Sequence, residues 1–425
     1  MSVVAVLLAV AMLWVGSIPV LAAPNSLALR ATYDVAAYVR WGRGSMTVSS
    51  IAHITNTTND SVKALSFNLV PLVTGDAEVI RVTASGKQVD PIVSGQTIVV
   101  PLPKALAPNA RTNVRIRYRA RFNAVTGSRQ TLLMQRDGVI TAYRWIPWLS
   151  RKQPFAAPNF GETWVTAVSP RVTVTLTSRK ALTFATSGRR THRSETSQTF
   201  RATNVRDFNF SASPDYKVKR VRRNGITVRV FYRHQPADQL AELALAALER
   251  FGDRVGAYPY KRLIVAETPA GTGMESPALS WIASGTDAKR LDKLLTHEIA
   301  HQWFYATVGN NQGTQPFLDE AVAEFLTRDM LGNFRRSRCR KAALDGSVYD
   351  YSAKCYPEVV YIEGSRYLER YRRAVGDDAF WAGMSAYYDA YRLTIGGTRG
   401  LLDYLDAASG FDSRLHEKRF PTLYP

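Results

Sequence analysis

Between residues 26 and 215, apolar and polar positions alternate in short runs broken by turn-forming residues. The run SMTVSSIAHIT at Ser45–Thr55 has a period of two, and a polar turn at 56–61 separates it from ALSFNLV at 64–70. Runs at 97–100, 172–176 and 199–202 continue the theme, with the first running into Pro101. Alternation of this kind sends successive side chains to opposite faces of a strand. Many such strands with no helical period predict an all-β sandwich of about 190 residues. The texture changes after Asp215. GITVRVFY at 225–232 reads as a strand, and 236–252 carries Leu240, Leu243, Ala244, Ala247, Leu248 and Phe251 at helical spacing. A strand at 262–267 leads through a glycine-containing turn to 274–282, and 289–305, 316–331, 359–374 and 379–393 read as helices. The second unit is therefore an α/β or α+β domain.

The first 23 residues stand apart. Residues 3–22 are apolar except for Gly16, Ser17 and Pro19, and no charged side chain precedes Arg30. This predicts a signal peptide ending near Ala22 or Ala23, or an uncleaved N-terminal membrane anchor. The expected organisation is thus 1–23 as signal or anchor, 24–215 as the β-rich domain and 216–425 as the α/β domain. The chain is expected to be exported, either secreted or tethered through residues 3–22.

Composition narrows the functional classes. With 425 residues, 46% hydrophobic and 21% charged, the chain can bury real cores and is neither a disordered tail nor a fibre. Two cysteines exclude a disulfide scaffold and any four-cysteine metal site. The net charge of +20 is uneven: residues through Asp215 hold 25 Lys/Arg against 10 Asp/Glu, leaving a surplus of only 5 for the remainder. Arg115, Arg117, Arg119 and Arg121 alternate with Ile116, Tyr118, Ala120 and Phe122, so one face of a strand carries four guanidiniums. That face reads as a solvated outer surface, or as a patch for anionic envelope polymers or lipid headgroups. No nucleic-acid-binding module is present.

His297-Glu298-Ile299-Ala300-His301 is the sharpest chemical signal. Histidines at i and i+4 lie one turn apart on one helix face. Two imidazoles can then share one cation, with the intervening glutamate beside the metal's open position. One Zn2+ is the expected cofactor, because zinc takes His and carboxylate ligands. The next helix supplies Asp319, Glu320 and Glu324. Glu320 is the expected third ligand, Glu324 is expected to orient a histidine from behind, and Asp319 is expected to face elsewhere.

HEIAHQWF followed by FLDEAVAEF resembles the HExxH-x18-E signature of gluzincin metallopeptidases, specifically the aminopeptidase N family. Gly273-Met274-Glu275-Ser276 resembles that family's GxMEN substrate motif, and Val360-Tyr361-Ile362-Glu363-Gly364 resembles its VYEKG segment. RDFNFSASPDY at 206–216 is similar to the end of the family's β-rich domain. The resemblance implies a thermolysin-like catalytic domain with zinc held by His297, His301 and Glu320. It further implies Glu298 as general base toward a zinc-activated water, Tyr361 as oxyanion donor, Glu275 as acceptor of the peptide's α-ammonium, and Gly273 and Met274 as backbone partners of the substrate. The implied activity is zinc-dependent aminopeptidase hydrolysis of peptides.

Departures from the pattern keep alternatives open. Ser276 replaces the usual asparagine, Glu363 replaces the usual lysine, and only Gln130 and Gln135 lie near the position of the family's second amine-binding residue. The family's helical C-terminal domain, which covers the site, has no counterpart within these residues. An open-site metalloendopeptidase or other zinc hydrolase is therefore the second reading, and a non-catalytic envelope-binding protein on the same fold is the third. Cys339 and Cys355 fall between Glu320 and Tyr361, and in an exported chain they are expected to form a disulfide across that connection. The residues do not fix the preferred N-terminal side chain or the oligomeric state.

Overall fold

The computed structural model describes residues 26–124, 132–150, 165–339, 343–411 and 414–424. The predicted N-terminal signal or anchor and Gln130 lie outside them. No helix among the described residues is long and apolar enough to cross a membrane.

Three eleven-residue strands, Arg30–Arg40, Ser45–Thr55 and Arg111–Arg121, form the middle of an eight-stranded sheet. Their near-perfect alternation of buried and exposed positions is the period of two made physical. The neighbours are antiparallel, apart from Arg30–Arg40 beside Val172–Thr177, which run parallel. The inner face meets two four-stranded sheets, so the second layer of the sandwich is split. Val48, Ile116 and Tyr118 from the large sheet share one core with Phe67 and Ile98 from one small sheet and Ile140 and Phe210 from the other.

One expectation needs adjusting here. The strand entering Pro101 does not stop there but runs over Thr97–Leu106. Its neighbour on one side, Ile92–Ser94, pairs only as far as Val99, so Pro101 sits where that edge is free and its missing N–H costs no ladder bond. The arginine row lies on the exposed face of its strand as expected, and within it Arg119 meets Glu78 at 2.5 Å and Arg121 meets Asp76 at 3.4 Å on the adjacent strand. Arg117 stands opposite Arg81 and Arg115 opposite Thr83.

The second domain begins with a five-stranded sheet in the order Lys217–Arg223, Ile226–Tyr232, Arg262–Thr268, Leu279–Ala283, Met274–Ser276. The three inner strands run parallel, and a hairpin closes each side. The segment 274–282 is thus two strands with a tight turn, in which Ala278 takes φ +59°. Met274–Ser276 is an edge strand, with one row of backbone groups facing away from the sheet. Helix Ala237–Arg254 packs Leu240, Ala244, Leu248 and Phe251 into a core shared with Leu291, Leu295 and Ile299 of helix Ala288–Ala300.

The two domains are clasped by Arg206, whose fully buried guanidinium donates to Thr166 O (2.7 Å), Thr307 O (3.0 Å), Thr394 O (2.9 Å) and Ala306 O (3.3 Å). Burial pushes its pKa down to about 10, which still leaves it charged at neutral pH. At these contacts the cation meets four carbonyl dipoles, and Gly309 leaves the space it occupies: a Cβ there would meet Arg206 Nη1 at 2.2 Å. Gly309→Ala is expected to lower stability by roughly 1–3 kcal/mol through this overpacking, seen as a lower thermal midpoint by circular dichroism. An unchanged midpoint would contradict the clasp.

Candidate metal centre

Helix Ala288–Ala300 starts at Asp287, whose carboxylate accepts the Lys289 N–H at 3.0 Å as an N-cap. Leu291, Leu295 and Ile299 recur at i+4 spacing and anchor one face in the core. That anchoring turns His297 and His301 toward the helix that follows. Their rings meet edge-on with centroids 4.8 Å apart.

Glu320 arrives from a π-helical turn, Phe317–Ala321, which leads into helix Val322–Leu331. His297 Nε2 and His301 Nε2 are 3.2 Å apart, and Glu320 Oε2 lies 3.2 Å from the first and 3.4 Å from the second. The three donor atoms form a nearly equilateral triangle. Zinc bonds of 2.0–2.1 Å in a tetrahedron require ligand–ligand edges of about 3.3–3.4 Å, so the residues present fit a zinc ion as they stand. No other group of three or more His, Cys, Asp or Glu among the described residues forms a comparable cluster.

Behind each imidazole stands a carboxylate. His297 Nδ1 is 3.3 Å from Glu324 Oε2, and His301 Nδ1 is 2.9 Å from Asp319 Oδ1 and 3.1 Å from Phe304 O. Such partners fix the ring orientation that leaves Nε2 for a metal. Asp319 therefore does not face elsewhere, as helical periodicity predicts. The i→i+5 bonding of the π-turn widens the helix at Phe317–Ala321, and Asp319 needs to reach only the outer nitrogen of His301. Gln312 Nε2 donates to its other oxygen at 2.5 Å, and Glu324 is held by Lys293 (2.9 Å) and Arg328 (2.7 Å).

The electrostatics follow from this crowding. Burial opposes a charge on His297, but hydrogen bonds to Glu320 and Glu324 outweigh it and hold its pKa up at about 9. Burial likewise opposes ionisation of Glu320, and the two histidines overcome it and keep the carboxylate charged well below its usual range. Glu298 has no such partner in direct contact: burial raises it to about 7, only partly offset by the charge of His297 and His301. Among the described residues no hydrogen-bond donor meets its buried Oε2.

The remaining predicted residues gather around this triangle. Gly273 packs directly on Glu298, where a Cβ would come within 2.2 Å of Oε1. Two residues on, the buried Glu275 sits in the edge strand opposite Ser280, and the Tyr143 phenol donates to its Oε1 at 3.5 Å. Met274 stands opposite Trp281 in the same hairpin. Tyr361 occupies a second π-helical turn, Pro357–Glu363, and stacks on His297 with centroids 5.6 Å apart and planes at 19°. Cys339 and Cys355 are joined as a disulfide across the connection between these two turns. Gln135 is engaged elsewhere, donating to Trp41 O at 3.1 Å. Sequence reasoning passes over Tyr143, Arg144, Asp207 and Tyr305, which line the rear of the edge strand and the loop after His301; only the segment 206–216 hints at them.

Comparison with solved structures then decides the fold. An M1 zinc metallopeptidase from Deinococcus radiodurans superposes with a TM-score of 0.70 at 18% identity, covering 91% of this chain and 94% of that one. The fold is that of the M1 zinc metallopeptidases. A mutant of the Deinococcus protein bound to a Tyr-Ser-Ala substrate matches with a TM-score of 0.67 at 17% identity over 91% of this chain and 94% of that one. A two-domain M1 mutant bound to L-arginine matches at 0.70 and 17% over the same shares. In sequence, aminopeptidase N of Lactococcus lactis subsp. lactis is 26% identical over 156 residues, a match spanning 31% of this chain but only 18% of that relative's length. No family model matches the chain.

Two outcomes follow for this site. A histidine held protonated up to about 9 must release its proton to accept a metal. Apparent zinc affinity should therefore rise as pH is raised toward that value, with proton release visible by calorimetry in buffers of different ionisation heat; affinity independent of pH would be inconsistent with it. Gly273→Ala should displace Glu298 while leaving one zinc bound, giving loss of turnover without loss of metal.

Proposed function

We propose that this chain is a zinc-dependent aminopeptidase that removes N-terminal residues from peptides. The observation that carries the reading is a juxtaposition. The His297–His301–Glu320 triangle and the Glu298 carboxylate lie beside a sheet edge that carries Glu275, reached through Gly273.

An extended peptide can add to the free side of Met274–Ser276 as another strand, with its backbone paired to the edge. Glu275 then offers a buried carboxylate to the α-ammonium at the peptide's end, which sets where the chain stops. His297, His301 and Glu320 would hold the zinc, and Asp319 and Glu324 would keep the two imidazoles in register. Bound there, zinc would supply Lewis-acid polarisation of the scissile carbonyl and activation of water. Glu298, with a pKa raised toward neutrality, takes the water's proton and delivers it to the departing amine. Tyr361, stacked on His297, would donate its hydroxyl to the carbonyl oxygen as charge develops there.

Export is part of the proposal. A disulfide is typical of oxidising compartments, and the apolar residues 3–22 supply the address. The exposed arginine row on Arg111–Arg121 would face an anionic envelope or membrane surface.

Glu298→Gln should retain zinc and lose at least about a thousandfold in kcat, the scale of a positioned base together with its role as acid. Wild-type protein should hydrolyse free aminoacyl amides and peptides but not their N-acetylated forms. Equal rates on blocked and free substrates would replace this reading with that of an endopeptidase.

A further inference from the structure

Tyr305 has φ +132°, a backbone region that favours glycine, four residues beyond His301. A bulky residue persists there only if its surroundings hold it, and they do. Its phenol donates to Asp207 Oδ2 and accepts from Arg144 Nη2 at 2.7 Å. Both partners belong to the first domain and all three side chains are buried. The backbone around Tyr305 is tied to the metal helix: Ala306 N donates to His301 O at 2.8 Å, and Val308 N donates to Trp303 O at 2.9 Å. Phe304 O, immediately before Tyr305, lies against His301 Nδ1.

The other oxygen of Asp207 grips the opposite side of the site. Ser276 Oγ donates to Asp207 Oδ1 at 2.6 Å and accepts from Asn209 Nδ2 at 3.0 Å. Ser276 is the residue after Glu275 in the edge strand, and Gln302 locks that turn by accepting from Ala278 N (2.8 Å) and donating to Ser276 O (2.9 Å). One buried carboxylate of the first domain thus spans two elements of the second. It holds the strand that would bind the substrate's amine and the loop that follows the second histidine.

We propose that Asp207 is a positioning residue which, through Ser276 and Tyr305, sets the spacing between Glu275 and the metal pair and thereby the preference for a free N-terminus. The proposal rests on the aminopeptidase reading. It gives the Ser276 departure a purpose: a short hydroxyl at this position can reach a first-domain carboxylate. It also accounts for Tyr305 in a strained conformation, since only a long side chain ending in a hydroxyl bridges to Asp207 and Arg144 from that loop.

The test uses full-length protein and two probes, leucine hydroxamate and N-acetyl-leucine hydroxamate, with zinc content measured in parallel. In wild type the free-amine probe should inhibit more strongly. Asp207→Asn and Tyr305→Phe should keep one zinc and keep the affinity for the acetylated probe, while the preference for the free amine falls roughly 10- to 100-fold, the scale of a small misplacement. A preference unchanged from wild type, or zinc lost together with affinity for both probes, would overturn the proposal in favour of a purely structural role. Ser276→Ala removes a single hydroxyl and carries the same readout if Asp207→Asn fails to fold. A wild type with no preference at all would instead overturn the aminopeptidase reading on which the proposal stands.

Discussion

The site depends on one arrangement: a buried carboxylate of one helix held between two imidazoles of another. Glu320 Oε2 lies within 3.4 Å of both Nε2 atoms. Burying that charge without compensation would be prohibitive, so the two helices pack where His297 and His301 can receive it. Asp319 and Glu324 then complete a second ring of negative charge behind the imidazoles. Glu320 and Glu324 hold the His297 imidazole protonated up to about 9 against the effect of burial, and a divalent ion bound among the three donors would compensate the same negative charge.

The surrounding fold serves this arrangement at two levels. Locally, the apolar stripe Leu291, Leu295 and Ile299 fixes the rotation of the histidine helix, and π-helical turns present both Glu320 and Tyr361. Wide turns of this kind concentrate at functional sites because they re-aim side chains that a regular helix would place elsewhere. Globally, the first domain supplies no proposed ligand, yet Arg206 and Asp207 reach from it into the loop after His301 and into the edge strand. The β-domain is thus a wall of the site as well as the carrier of the positive charge.

Much of this is legible in the sequence, for physical reasons that also explain what is not. Period-two runs give the sandwich, and 3.6-residue spacing gives the helices and the His297–His301 pair, because these signals are local. Glu320 and Glu324 follow from one further helix. Asp319 is misplaced by the same periodicity, since a π-turn breaks the regular angular step at that point. Helix 289–305 is expected to continue past Ala300, but the chain turns there, and Tyr305 at φ +132° cannot be helical. Asp207, Arg144 and Tyr143 leave almost no trace in spacing, because their contacts join residues 98 to 161 positions apart. Pro101 misleads as a strand end because its tolerance depends on a neighbour that stops short.

The most direct measurement is X-ray absorption at the zinc edge on the purified protein, with metal stoichiometry, for wild type and Glu320→Ala. The account predicts one zinc per chain with two imidazole nitrogens and a carboxylate oxygen in its first shell, and loss of that signature in Glu320→Ala. A wild type that binds no zinc, or a zinc environment unchanged by Glu320→Ala, would contradict it.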